Sequence, residues 1–202
     1  MLENMPRLTS LAMLRTIIAF AIVIVLGACG SSARLSGTEL PAGNAPDFTL
    51  VDGMTGGSVS LSSLRGNVVA LAFLYTRCPD VCPLTAAQFR AAQRELGADA
   101  ARVRFVAVSV DPDGDTPAAV REFSLAHDLK DNWHYLIGPR AALQAVWTSY
   151  GVGAFDQGAG AVAHNDAIYV IDAKGIEREV VHSDVALGDL VADLRAVLKG
   201  ST

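Results

Sequence analysis

The segment Asn67–Thr76, NVVALAFLYT, is apolar at almost every position between its polar ends. A strand with one wet face would alternate polar and apolar residues, so an unbroken run of this kind predicts a central strand covered on both faces. RVRFVAVSVD (Arg102–Asp111) repeats the pattern, and between the two runs Phe89, Ala92 and Leu96 recur at helical spacing. TPAAVREFSLAHD then reads as a helix, with Thr116 placed to cap it and Pro117 at its first position. WHYLIG is a further short strand. Leu143, Val146, Trp147 and Tyr150 follow at the spacing of an amphipathic helix. DAIYVIDAKG and IEREVVH read as a hairpin turning near Ala173–Gly175, and Leu187, Leu190, Val191, Leu194 and Leu198 form a last apolar stripe. Upstream, DFTLVD and SVSL are short strands around the glycines of GMTGG.

Strands alternating with helices predict an α/β domain with parallel pairing, to which the closing hairpin adds an antiparallel edge. The result is a central mixed sheet flanked by helices. A strand, a cysteine pair opening a helix, a further βα unit and a terminal hairpin with its helix follow the order of a thioredoxin-like fold. The 202 residues, 51% of them hydrophobic, suffice for one such domain with a real core. A formal net charge of −5 leaves no electrostatic footprint for nucleic acid.

Ahead of the domain, Arg7 and Arg15 precede the apolar run Ile17–Ala28. This run is shorter than the roughly 20 residues needed to span a bilayer and has the layout of a secretory signal. It ends in Gly27 and Ala28, directly before Cys29, and LGAC resembles a bacterial lipobox in which the cysteine is lipidated and becomes the new N-terminus. The alternative is an ordinary signal or an uncleaved anchor with an incidental cysteine. On the lipobox reading residues 1–28 are a lipoprotein signal peptide and residues 29–46 are the lipidated N-terminus and a flexible tether. Residues 47–202 are then the folded domain, held in the bacterial cell envelope outside the cytoplasm and attached to the membrane through lipid. From Cys29 onward the chain carries 14 Lys and Arg against 20 Asp and Glu. That balance argues against adhesion to an anionic lipid surface. Cys78 and Cys82 are the remaining cysteines, in a compartment where disulfides are permitted.

These two stand four positions apart in CPDVCP, one residue wider than a Cys-x-x-Cys redox pair. Four positions bring side chains back to one face of a helix, and Pro83 suits a helix start. The N-terminal end of a helix favours the thiolate, the form that binds metal. The wider spacing favours a metal without forbidding a disulfide. Two thiolates leave a Cu(I) or Zn(II) site incomplete, which directs the search for a third donor to the histidines. His127 closes a helix pattern and reads as solvated, His134 reads as structural, and His182 reads as exposed. His164 lies in the small-residue loop GAGAVAHND before the strand AIYVID; in a thioredoxin-like fold that loop lies against the start of the cysteine helix. Asp80 reads as a helix cap or surface group, and Asp111 and Asp115 read as holding the turn before Thr116.

YTRCPDVCP (Tyr75–Pro83), SVDPDGDTP (Ser109–Pro117) and HNDAIYVID (His164–Asp172) together resemble the Sco/SenC family of copper-binding assembly factors, in matching order over roughly Ala45–Leu198. The resemblance implies a copper metallochaperone that binds copper, as Cu(I) or Cu(II), through Cys78, Cys82 and His164. It also implies a role in assembling the dinuclear copper centre of cytochrome c oxidase, whose copper-receiving subunit is then the partner. The chain departs from the family pattern at Ala163, where an Asp commonly precedes the histidine, and at Gly114, where an Arg is common. Asp166 is the nearby carboxylate that could orient His164 instead. A second reading is an extracytoplasmic thiol-disulfide reductase or peroxidase-like protein that uses Cys78 and Cys82 as a redox disulfide.

Overall fold

The structure is a computed structural model that describes residues 34–129, 131–153, 155–156, 162–163 and 166–201. Its strands are β1 (Thr38–Asn44), β2 (Thr49–Asp52), β3 (Ser58–Ser60), β4 (Val68–Leu74), β5 (Val103–Ser109), β6 (Trp133–Ile137), β7 (Phe155–Asp156), β8 (Val162–Ala163), β9 (Ile168–Ile171) and β10 (Ile176–Val181). The helices are α1 (Val81–Leu96), α2 (Pro117–Ala126), α3 (Arg140–Ser149) and α4 (Leu187–Gly200). Short 3-10 helices cover Leu61–Leu64 and Gly97–Arg102.

Eight strands form one sheet in the order β1-β10-β9-β4-β5-β6-β2-β3, with β7 and β8 as a separate small hairpin. The central trio β4, β5 and β6 is parallel, and every other pairing in the sheet is antiparallel. This mixed sheet with its flanking helices is the expected thioredoxin-like fold.

Both faces of the centre are covered, which accounts for the unbroken apolar run. Every residue of β4 is buried. On one face Phe105 of β5 meets Phe89 of α1 at a centroid distance of 5.0 Å, and Phe89 meets Trp133 of β6 at 6.1 Å. On the other, Phe73 of β4 packs on Tyr150, just past α3, and on Tyr169 of β9 at 5.6 and 5.9 Å. Ala70, in register with Phe105, puts a small residue on the α1 face. Helix α4 lies beside α1. Thr116 caps α2 as expected, its Oγ1 accepting from Ala119 N at 3.2 Å.

Thr38–Asn44, expected to belong to a tether, instead form the edge strand β1, antiparallel to β10. Two buried carboxylates hold the residues before it. Asp193 of α4 accepts from Ser36 N at 3.1 Å and from Ser36 Oγ, and Glu179 of β10 accepts from Gly37 N at 3.1 Å. Gly37 is required for space, because a Cβ there would lie 2.3 Å from Val181 and 2.6 Å from the Val180 carbonyl oxygen. Glu179 is fully buried, and its Oε1 has no hydrogen-bond partner among the described residues. Burial, with Asp193 adding repulsion, pushes its carboxyl up to about 7.

Candidate metal and thiol site

β4 ends at Leu74, and the chain crosses a short loop into α1. Cys78 lies on this loop and Cys82 in the first turn of α1; both are buried thiols, Cys78 8% exposed and Cys82 0%. Asp80 stands at the N-cap of α1, yet its side chain makes no capping bond and is exposed. The sulfur of Cys78 takes that acceptor role and receives the Cys82 N–H at 3.4 Å. A sulfur so placed meets the partial positive end of the helix, where thiolate is favoured. The hydrogen bond between the two side chains, and then burial, push the Cys82 thiol well above its ordinary range. The Cys82 thiol therefore holds its proton until something displaces it.

The loop before Cys78 is tied down from the far side. Asp115, 3% exposed, accepts from Thr76 N at 2.8 Å, Thr76 Oγ1 at 2.7 Å, Ser109 Oγ at 2.6 Å and Tyr135 OH at 3.0 Å. Burial raises its carboxyl above the usual range in spite of these four donors. Asp111 receives Gly114 N at both its carbonyl and its Oδ1, and its N–H donates to Ser109 Oγ at 3.1 Å. Cys78 N donates to the Tyr75 carbonyl at 3.2 Å. Asp111 and Asp115 thus hold their own turn, as expected, and also brace the cysteine loop. The spacing of the acids in DPDGDTP was legible in the sequence, but their hold on Thr76 and Arg77 was not.

The histidines fall apart as ligand candidates with one exception. His127 follows α2 with its ring 4.5 Å from that of Phe123, half-buried where a solvated residue was expected. His134 Nδ1 lies 3.0 Å from the buried Asp52 carboxylate, a structural pairing. His182 is exposed and shares a 2.9 Å hydrogen bond with the Asp166 carbonyl. The exception, His164, lies outside the described residues. Asp166, the carboxylate considered for orienting it, receives Ser183 Oγ at 2.6 Å. Ser183 and Val185 in turn offer their carbonyls to Gln88 of α1. Among the described residues no group of three or more His, Cys, Asp or Glu side chains is placed to hold a metal ion. The described part therefore contributes two soft sulfur donors on one helix start, shielded from water, a set that suits a soft metal ion or a disulfide.

The SCO1/SenC family model matches residues 37–199. The SCO1 protein homolog of Bacillus subtilis is 38% identical over 84 residues, which cover 41% of this chain and 44% of that protein. The chain spans less than two thirds of the length of the curated relatives it matches. The structure of Bradyrhizobium japonicum ScoI with copper bound superposes with a TM-score of 0.69 at 31% identity, covering 77% of this chain and all of that one. BsSco is described as a member of the Sco family of cytochrome c oxidase assembly proteins, with an identified disulfide switch. It superposes with a TM-score of 0.68 at 25% identity, covering 79% of this chain and 96% of that one.

Proposed function

This chain belongs to the SCO1/SenC family, and on that premise we propose that it is a copper metallochaperone assisting assembly of the dinuclear copper centre of cytochrome c oxidase. Copper is its cargo, held by Cys78, Cys82 and His164 and delivered to the copper-receiving oxidase subunit. The observation that carries this reading is the contact between the two buried cysteines at the start of α1. Each thiol gives up a proton as it takes the metal, and the helix end stabilises the sulfur that is left negative. Cys82 is the fixed donor inside the helix. Cys78, on the loop, is the more exposed of the pair, so a receiving subunit reaches the cargo from its side. The copper-bound state of the Bradyrhizobium relative supports the choice of copper over zinc.

The same contact favours a second activity. The two thiols can pass two electrons and two protons to a partner's disulfide, which is reduced as a Cys78–Cys82 disulfide forms. Such a pair is closed to copper until reduced, so redox state would gate loading. The disulfide switch described for BsSco supports this extension.

The deciding experiment titrates the reduced domain, Gly30–Thr202, with Cu(I) and then Cu(II). The wild-type domain develops thiolate-to-copper charge-transfer absorption. His164→Ala stays folded and keeps its reducible cysteine pair, but its copper affinity falls at least roughly ten-fold. Wild-type affinity in this variant removes His164 from the ligand set and shifts the function to thiol chemistry. The domain sits outside the cytoplasm on a lipid carried by Cys29. The mass of the mature N-terminal peptide from native membranes carries the acyl additions in this reading, and an unmodified Cys29 refutes it.

A further inference from the structure

The guanidinium of Arg77, the residue next to Cys78, reaches back across the 111–115 turn. Its Nη2 donates to Asp111 Oδ2 at 2.6 Å. The path runs directly over Gly114. A Cβ at that position would lie 2.1 Å from Asp111 Oδ2, 2.5 Å from Arg77 Nη2 and 2.6 Å from Arg77 Nε. Gly114 has no positive φ, so its backbone would accept other residues and the requirement for glycine is one of space.

We propose that Arg77, laid across Gly114 onto Asp111, is a positioning residue for Cys78, and that the absence of a side chain at Gly114 is what admits it. The two sulfurs are not held alike. Cys82 belongs to a regular helix and is fully buried, whereas Cys78 sits on a loop, so the spacing of the sulfurs depends on where that loop is pinned. Cys78 N closes a turn on the Tyr75 carbonyl within the loop, and two side chains tie that loop to the 111–115 turn: Asp115 holds Thr76 and Asp111 holds Arg77. The Asp115 pin is made from within the fold. Arg77 makes the other from outside, its side chain 55% exposed while that of Asp111 is 8% exposed. An ion pair with one partner in solvent adds little to global stability. Its effect is local, on the freedom of the residue it adjoins. The proposal rests on the copper reading only for the purpose of the fixed sulfur; the placement itself concerns the thiol.

The test uses the full chain, reduced, with wild type compared against Arg77→Ala, Arg77→Lys and Gly114→Ala. Iodoacetamide modification is followed separately at Cys78 and Cys82 by peptide mass mapping, beside thermal melting and the absorption spectrum after Cu(I) and Cu(II) addition. Arg77→Ala raises the Cys78 rate roughly three- to ten-fold by easing local opening, with Cys82 and the melting temperature near wild type. Gly114→Ala does the same by displacing the guanidinium. Arg77→Lys falls between, because an ammonium can keep one bond to Asp111 but cannot lie flat over the glycine. In copper-binding protein the charge-transfer band shifts in the two Ala variants and partly recovers in the Lys variant. An unchanged Cys78 rate in Arg77→Ala overturns the proposal. So does a parallel rise at both cysteines with early melting, which marks general loosening. If Gly114→Ala melts early on its own, the Arg77 pair of variants decides. A wild-type chain that takes up no copper defeats the proposed function but leaves the modification rates to judge this inference.

Discussion

Cys82→Ala abolishes copper uptake by the reduced protein and removes the charge-transfer absorption, while the domain stays folded. The variant keeps one sulfur on a loop, and a single thiolate with an imidazole holds a soft ion far more weakly than the chelating pair. The loss cannot be ascribed to unfolding. Cys82 is fully buried but small, so removing its sulfur costs about 1 kcal/mol, within what a domain of this size tolerates. Metal content after gel filtration, measured beside a melting curve, checks both halves. Uptake of copper at wild-type affinity would remove Cys82 from the site.

Phe89→Ala has the largest expected effect on stability. The ring is fully buried between Phe105 and Trp133 and joins α1 to the central strands. Truncation removes a large apolar surface and leaves a cavity that β5 and β6, locked in register, cannot close. The cost is about 3–5 kcal/mol, read as a lower midpoint in urea with little change in slope. Because α1 carries Cys82, the same change loosens the donor pair well before global unfolding. A cost below about 1 kcal/mol would mean that the helix is held by something other than this cluster.

The central elements were legible because each announces itself by period. β4 and β5 are buried on both faces and read as apolar runs, and α3 and α4 carry stripes at helical spacing. β1 announces nothing. TELPAGN shows no buried residue and no alternation, since an edge strand can be held by backbone pairing alone. The acids that secure its start were hidden for the opposite reason. Asp193 sits inside the apolar stripe of α4 and Glu179 inside the closing hairpin, where a carboxylate reads as surface. At the site, the spacing of Cys78 and Cys82 predicted a shared helix start, and the structure has it. It could not predict that a sulfur, not Asp80, would meet the helix N–H. The departure at Gly114 was visible as a substitution. Its meaning needed the third dimension, because the arginine above it comes from the other motif.

The grip of Asp193 and Glu179 on Ser36 and Gly37 also sets a distance. A free chain running to Pro46 would allow the domain to range roughly 60 Å from a lipid on Cys29, but with Ser36 held the span from Cys29 is at most roughly 25 Å whatever its conformation. On the lipid-anchor reading the domain therefore stands close over the bilayer. On the copper-delivery reading as well, a receiving site must then come down to meet it near the headgroups, and donor and acceptor search for each other across a thin layer of the envelope, not through its volume.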